Sequence, residues 1–399
     1  MMDNGRAPGA ERLFGREFLL SCTGNLLNFM SFHMLLATFA YYVIALGGDQ
    51  AVAGFVSGIF AISSTLMRPF AGWILDHRGR RGILLAGMLG MVLLPLGYAL
   101  CSLLILAIAL RFFHGLTWAA SSTALNTHVC DIIPRSRFAE GMGYFGLTAA
   151  ISTALAPALG LALMRNGGFT LMFCASAAVA AVALLSTLTL KYEALPLRKQ
   201  HTSLRELLRG LFNKDALPAS LTMFFFLFPY GAITTFIALY AEFNGLGGGG
   251  AYFMLLAAMT ALMRVLGGRV ADRRGEGLLV YISVICGGAA MLLLWQWPSQ
   301  LSFCASALLF GCGFGLMTPT MQAMAMRIST AERRGSASST YLCAFDIGIG
   351  LGGITAGLLA KYLGYASMYG VISLGLAVSL LVYVLWARRS PSSFRNAAK

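Results

Sequence analysis

Asp346 is the only acid well inside an apolar run of the second half of the chain, in Ala344-Phe345-Asp346-Ile347-Gly348-Ile349-Gly350. A carboxyl group held away from water can take up and release a proton as its surroundings change, so Asp346 is a candidate proton carrier. The alternative is a permanently neutralised Asp bonded to a neighbouring helix. Arg111-Phe112-Phe113-His114-Gly115 offers a second pair of chemical groups. Residues three apart on a helix share a face, so Arg111 and His114 point the same way, and Trp118 and Ser122 continue that face. Such a partly aqueous lining can hold an anion or tune a proton site. It can equally be a brace in which Arg111 bonds backbone carbonyls and His114 is a hydrogen-bonded structural residue. Histidine is the side chain that ordinarily titrates nearest physiological pH, which makes His114 a proton-coupling candidate beside Arg111.

The elements that must position these groups are apolar. Of the 399 residues 58% are hydrophobic and 11% charged, with a mean hydropathy of +0.75. A soluble domain carries about 25% charged residues, so this chain needs lipid as its solvent. A spanning helix takes about 20 apolar residues, and about twelve such runs can be counted. A charge at the centre of a bilayer costs about 2.5–3.5 kcal/mol, so each embedded ionisable group needs a reason. Arg68, Arg111 and Arg264 lie inside such runs. The net charge of +14 could suggest a nucleic-acid partner, but most of the 29 Lys and Arg fall in the termini and alternate loops. That is the positive-inside pattern, and it places both termini in the cytoplasm. The first apolar run continues to about residue 44, too long for a cleaved signal, and reads as a retained first helix. The eight cysteines form no Cys-x-x-Cys pair and read as small buried hydrophobes.

The longest internal break, 191–215, separates six runs from six. The expected domains are 1–190, a linker at 191–215 and 216–399. Ser203-Leu204-Arg205-Glu206 in the linker reads as a capping box opening an amphipathic helix on the inner membrane surface, with an unstructured linker as the alternative.

One short stretch organises the rest. Gly72-Trp73-Ile74-Leu75-Asp76-His77-Arg78-Gly79-Arg80-Arg81 sits between the second and third apolar runs and must lie at a membrane surface. It recurs: Arg68, Gly72, Asp76, Arg78 and Gly79 match Arg264, Gly268, Asp272, Arg274 and Gly275 at a constant offset of 196. Duplicated halves are common in transporters.

This loop resembles the signature between the second and third helices of the major facilitator superfamily, and the resemblance extends over nearly the whole chain. It implies an all-α integral membrane protein of twelve transmembrane helices in two six-helix pseudo-symmetric halves. Arg111, with His114 and Gly115 following, matches the family's second motif. Helices one, four, seven and ten line a central cavity in the family, which makes Asn25, Asn28, His33, Trp118, Tyr230, Met321 and Gln322 candidate substrate contacts. Interhelical hydrogen bonds and plain packing are the competing roles for the same residues. On helix five the antiporter pattern is degenerate: Gly143, Ser152, Ala156, Pro157 and Gly160 stand where small residues are expected, while Leu161 departs. That pattern leans toward export.

In relatives the loop's Asp and later Arg join the acid ending helix four as a cytoplasmic latch. By resemblance the latch is Asp76, Arg80 and Asp131, and the cytoplasmic gate takes in Gly72 and Asp272 of the repeated loop with them. The offset of 196 carries Arg80 onto Glu276 and Asp131 onto Arg327, inverting both signs together. Contacts are therefore expected in both pairs, Arg80–Asp131 and Glu276–Arg327.

The resulting expectation is a secondary active transporter working by alternating access, exporting a small organic compound (drug-like, metallophore or sugar) against protons. The alternative is a proton-coupled or facilitative importer. No enzyme motif and no phosphate-binding Gly-x4-Gly-Lys-(Ser/Thr) is present, so neither catalysis nor a cofactor is expected. The expected partners are the substrate, protons and lipid, with no nucleic acid; the expected state is a monomer in the bacterial inner membrane.

Overall fold

The computed structural model describes residues 13–133, 138–190, 213–274, 276–327 and 334–390. The order along the chain is α1 (Arg16–Ala45), α2 (Gln50–Arg78), α3 (Arg80–Leu100) and α4 (Leu104–Ile132). The run Phe138–Leu188 then divides into α5 (138–166) and α6 (169–188). The second half holds α7 (Leu217–Phe243), α8 (Gly249–Arg274), α9 (Glu276–Gln296) and α10 (Gln300–Arg327). The run Arg334–Ile372 divides at Gly364 into α11 (334–363) and the start of α12 (365–385), which continues through Leu374–Leu385.

The helices end where the sequence supplies a reason. Asp49 caps α2 by accepting a hydrogen bond from the Val52 N–H at 2.9 Å. The α2–α3 turn is a single residue, Gly79, at φ 82° and ψ 173°, a conformation open in practice only to glycine. Leu100, Ile105, Leu185, Ile285, Leu301 and Leu374 all stand exposed on the outer faces. An aqueous protein cannot present so many branched apolar side chains in bands, but one solvated by acyl chains does so freely.

Each half is knitted by glycines. Gly115 on α4 lies directly on Phe60 and Ser63 of α2, with no room for a Cβ. Gly311 on α10 lies in the same way on Leu256 and Met259 of α8, where a Cβ would meet the Leu256 carbonyl at 2.5 Å. All three residues of the second contact are the first set displaced by 196, so the duplication read in the loop extends into the packing. The halves meet along two seams, α2 against α11 and α5 against α8. These too correspond: Gly54 packs on Gly353 and Gly357, and Gly250 packs on Ala158.

All named seam contacts between backbones lie toward the end carrying Gly47, Gly168 and Gly364, hereafter the far end. There Asp49 pairs with Lys361 at 2.8 Å across the α2–α11 seam. The opposite end carries residue 13, the Gly79 turn and residue 390.

The proposed amphipathic linker helix lies outside the described residues, apart from Asn213–Asp215, where Asn213 accepts from the Asp215 N–H at the start of a short turn leading into α7. The cysteines are free thiols, and only Cys343 is fully buried; Cys174 is exposed. The expectation of uniformly buried cysteines is corrected accordingly: on helices surrounded by lipid, a small apolar thiol is as well placed outside as inside.

Candidate site between the two halves

Along α2, Gly54, Gly58, Ala61, Ser64 and Arg68 recur at helical spacing on one face. Along α11, Gly357, Ile354, Gly350 and Asp346 recur on the matching face. Small residues at Gly54, Gly58 and Gly350 let the two backbones touch. The register they impose brings the deeper side chains together. Arg68 Nε donates to Asp346 Oδ2 at 2.6 Å, and Ser64 Oγ donates to the same oxygen at 3.1 Å. Arg68 lies four residues before Gly72, where the apolar span of α2 ends, about 6 Å along the helix, so the pair sits toward the Gly79 end of the span. Both side chains keep 15% of their surface exposed.

Asp346 is bonded to a neighbouring helix, but that helix belongs to the other half of the molecule. A hydrogen bond between ions contributes about 1.5–3 kcal/mol, and stranding one member of a buried pair costs about 3–5 kcal/mol. Sequence reasoning noted Arg68 as an embedded charge and gave it no partner. The signal was available: one embedded acid in the second half, and an embedded base in the first that the duplication repeats.

Arg111 and His114 are both buried within the first half. Arg111 is 1% exposed, and its guanidinium lies over the rings of Phe39 at 4.3 Å and Phe60 at 4.4 Å. Cation–π contact is how a low-dielectric site accommodates an arginine. His114 Nδ1 lies 3.3 Å from the Tyr98 hydroxyl. Arg111 Nε and Nη1 and His114 Nε2 have no hydrogen-bond partner. The pair is enclosed within the first half, where Gly115 lets α4 lie flush against α2.

The candidate substrate contacts of α1 are bonded inside the first half. Asn25 donates to Thr148 Oγ1 at 2.6 Å and Asn28 to Ser121 Oγ at 3.2 Å. His33 lies between Ser152 and Thr153 of α5 at 3.1 and 3.3 Å. Trp118 is buried and stacked on Phe32 at 4.2 Å. In the second half Tyr230 is stacked on Phe314 at 4.5 Å. Met321 is fully buried, while Gln322 is exposed. The structure thus gives Asn25, Asn28 and His33 the bundle-holding role that was their alternative, because hydroxyls on α4 and α5 meet them.

Near the α2–α3 turn, Arg80 and Asp131 form an ion pair, and Arg80 Nη1 also donates to the Thr127 carbonyl at 3.2 Å. The contact expected from the sign inversion is therefore present in the first half. Glu276 is buried in the first turn of α9. The side chains of Asp76, Asp272 and Arg327 lie outside the described residues. Gly72 faces open space along α2.

Two repeated bundles of apolar helices, meeting along two seams with a charged group in one of them, define a multi-pass membrane transporter. The chain belongs to the Major Facilitator Superfamily, whose model matches residues 21–300 and 279–399. It is similar to the uncharacterized MFS-type transporter YhhS of Escherichia coli (strain K12), 26% identical over 94% of this chain and 93% of that one. It is also similar to the multi-drug resistance efflux pump PmrA homolog of Lactococcus lactis, 23% identical over 90% of each. Among solved structures, a bacterial homolog of the human lysosomal transporter Spinster superposes with a TM-score of 0.78 at 17% identity, over 97% of this chain and 99% of that one.

Proposed function

We propose that this protein is a proton-coupled exporter of a small organic compound, working as a monomer by alternating access in the bacterial inner membrane with both termini in the cytoplasm. The supporting observation is the Arg68–Asp346 ion pair across the α2–α11 seam. Ionised Asp346 draws α2 and α11 together. A protonated carboxyl gives up that attraction and releases the seam. Arg68 and Ser64 face Asp346 from α2, and Cys343 lies one turn away on α11. Phe224 and Leu227 of α7 pack beside it at Gly348. Among the described residues Arg68 is thus the charged group that faces Asp346. On the positive-inside orientation the far end is external, and the contacts there describe a carrier shut to the outside. The direction of transport is supported by the small-residue pattern of α5 and by similarity to a protein named as an efflux pump.

Counterflow in vesicles under an imposed pH gradient tests this reading. An inside-acid vesicle and an inside-alkaline one should load opposite amounts of a transported compound in the wild type. Asp346→Asn should abolish the dependence on the gradient. A gradient dependence that survives in Asp346→Asn removes Asp346 from the coupling.

A further inference from the structure

Arg264 occupies the position in the second half that Arg68 occupies in the first. Its surroundings differ in one decisive way. The offset of 196 that carries Arg68 onto Arg264 carries Asp346 back onto Ala150. The two seams are alike at their far ends without being in strict register: Gly54 lies on Gly353 and Gly357, and Gly250 on Ala158, the neighbour of the residue that the offset pairs with Gly353. Where α11 places a carboxylate beside Arg68, the position that the offset gives on α5 is an alanine. Among the described residues no ion pair and no hydrogen bond involves Arg264.

Arg264 is nevertheless exposed as a residue. On α8 the buried face runs through Gly249, Phe253, Leu256, Ala257 and Thr260. Arg264 follows Thr260 by four residues, about 40° round the helix, and so continues that inward face. The lipid-side residues Met254, Leu262 and Leu266 are exposed on the other side, with Leu262 about 160° away. An exposed residue on the inward face looks into the space between the halves. The aromatic residues within electrostatic range of Arg264 are Tyr230 of α7 and Tyr341 of α11. Tyr230 stacks on Phe314, and Phe314 and Tyr341 each lie against Phe345 at 6.4 Å. Arg264 closes the apolar stretch of α8, where a cation calls for a partner, and among the described residues no acid pairs with it.

We propose that Arg264 is the docking point for an oxyanion on the transported compound, whose apolar or aromatic body lies along Tyr230 and Phe314. The cargo is then an amphipathic organic anion rather than a neutral or cationic drug. Guanidinium groups recognise carboxylate, sulfonate and phosphate oxygens through parallel N–H donors. The inference rests on the carrier reading above, and its test separates the two.

Matched probe pairs are titrated against the full-length protein in nanodiscs at neutral pH: benzoate with benzamide, benzenesulfonate with benzenesulfonamide, and phenyl phosphate with its dimethyl ester. At least one anion should bind about 10- to 100-fold more tightly than its neutral twin. That preference should vanish in Arg264→Gln and be partly kept in Arg264→Lys, which retains the charge without the planar fork. A wild-type ratio near one for all three pairs overturns the proposal, as does a preference that persists in Arg264→Gln. In parallel, spin labels at Phe55→Cys and Leu358→Cys in a background lacking the native cysteines report the far-end separation as pH is varied. Two separations with no anion preference would sink the anion site and leave the carrier standing. One fixed separation with a clear anion preference would do the reverse.

Discussion

Arg68 and Asp346 are individually unfavourable in a membrane and mutually stabilising, which makes each the measure of the other. Replacing Arg68 by Ala removes the cation that faces Asp346 across the seam; the variant should lose the influence of pH on transport. Exchanging the two, Arg68→Asp with Asp346→Arg, should recover more transport than either change alone, as read by counterflow. The Arg80–Asp131 pair is partly exposed, so separating it should cost less than about 1 kcal/mol. Its effect should appear in the balance of conformations rather than in thermal stability, and the charge-swapped double variant should restore that balance. Gly79→Ala is different in kind: with φ at 82° and ψ at 173°, a Cβ there should cost about 1–3 kcal/mol, visible as a lowered Tm. Much of this was readable from residues alone. The duplicated loop exposed Arg80 and Asp131 as partners because their charges invert together in the second copy. Arg68–Asp346 was not readable, because nothing local says which helices of the two halves share a seam. For Arg111 and His114 the lining and the brace stayed equally open, because spacing reveals a common face but not whether that face meets water or Phe39 and Phe60.

At the scale of elements, the α2–α11 seam is a contact of backbones. A Cβ added at Gly357 would lie 2.5 Å from the Gln50 carbonyl. Gly54→Ala or Gly357→Ala should therefore force the far end apart, raising the population with a long separation between labels on α2 and α11. The Asp49–Lys361 pair works in the same direction from the surface. Lys361 and then the Val52 N–H hold the Asp49 carboxyl below its ordinary value of 3.8. A depressed carboxyl contributes its stabilisation above the ordinary pKa and loses it only as pH falls through the lowered one. Across physiological pH the pair stays intact, so Asp49→Asn should loosen far-end closure to the same small degree at mildly acidic and mildly alkaline pH. The helices themselves were legible from hydropathy, and the breaks at Gly79, Gly168 and Gly364 from glycine between apolar runs. The partners of Asn25, Asn28 and His33 were not, since Thr148, Ser121 and Ser152 are ordinary hydroxyls until α1 is laid against α4 and α5.

The whole molecule is two copies of one design, and the copies can be locked. A Cβ built at Gly353 lies 3.3 Å from the Ser57 Cβ, close to the spacing a disulfide requires. In a background lacking the native cysteines, Ser57→Cys with Gly353→Cys should cross-link on oxidation and stop transport, with recovery on reduction. Transport undiminished by a complete cross-link would show that this seam need not open.

Among the described residues the duplicated plan is fastened unevenly, with ion pairs across α2 and α11 and none across α5 and α8. A hinge pinned along a single edge swings; it does not slide apart. The rocking movement should therefore be lopsided, with α5 and α8 sampling a wider spread of separations than α2 and α11 before any cargo arrives. An anion arriving at Arg264 would supply to the looser edge the counter-charge that evolution built permanently into the tighter one.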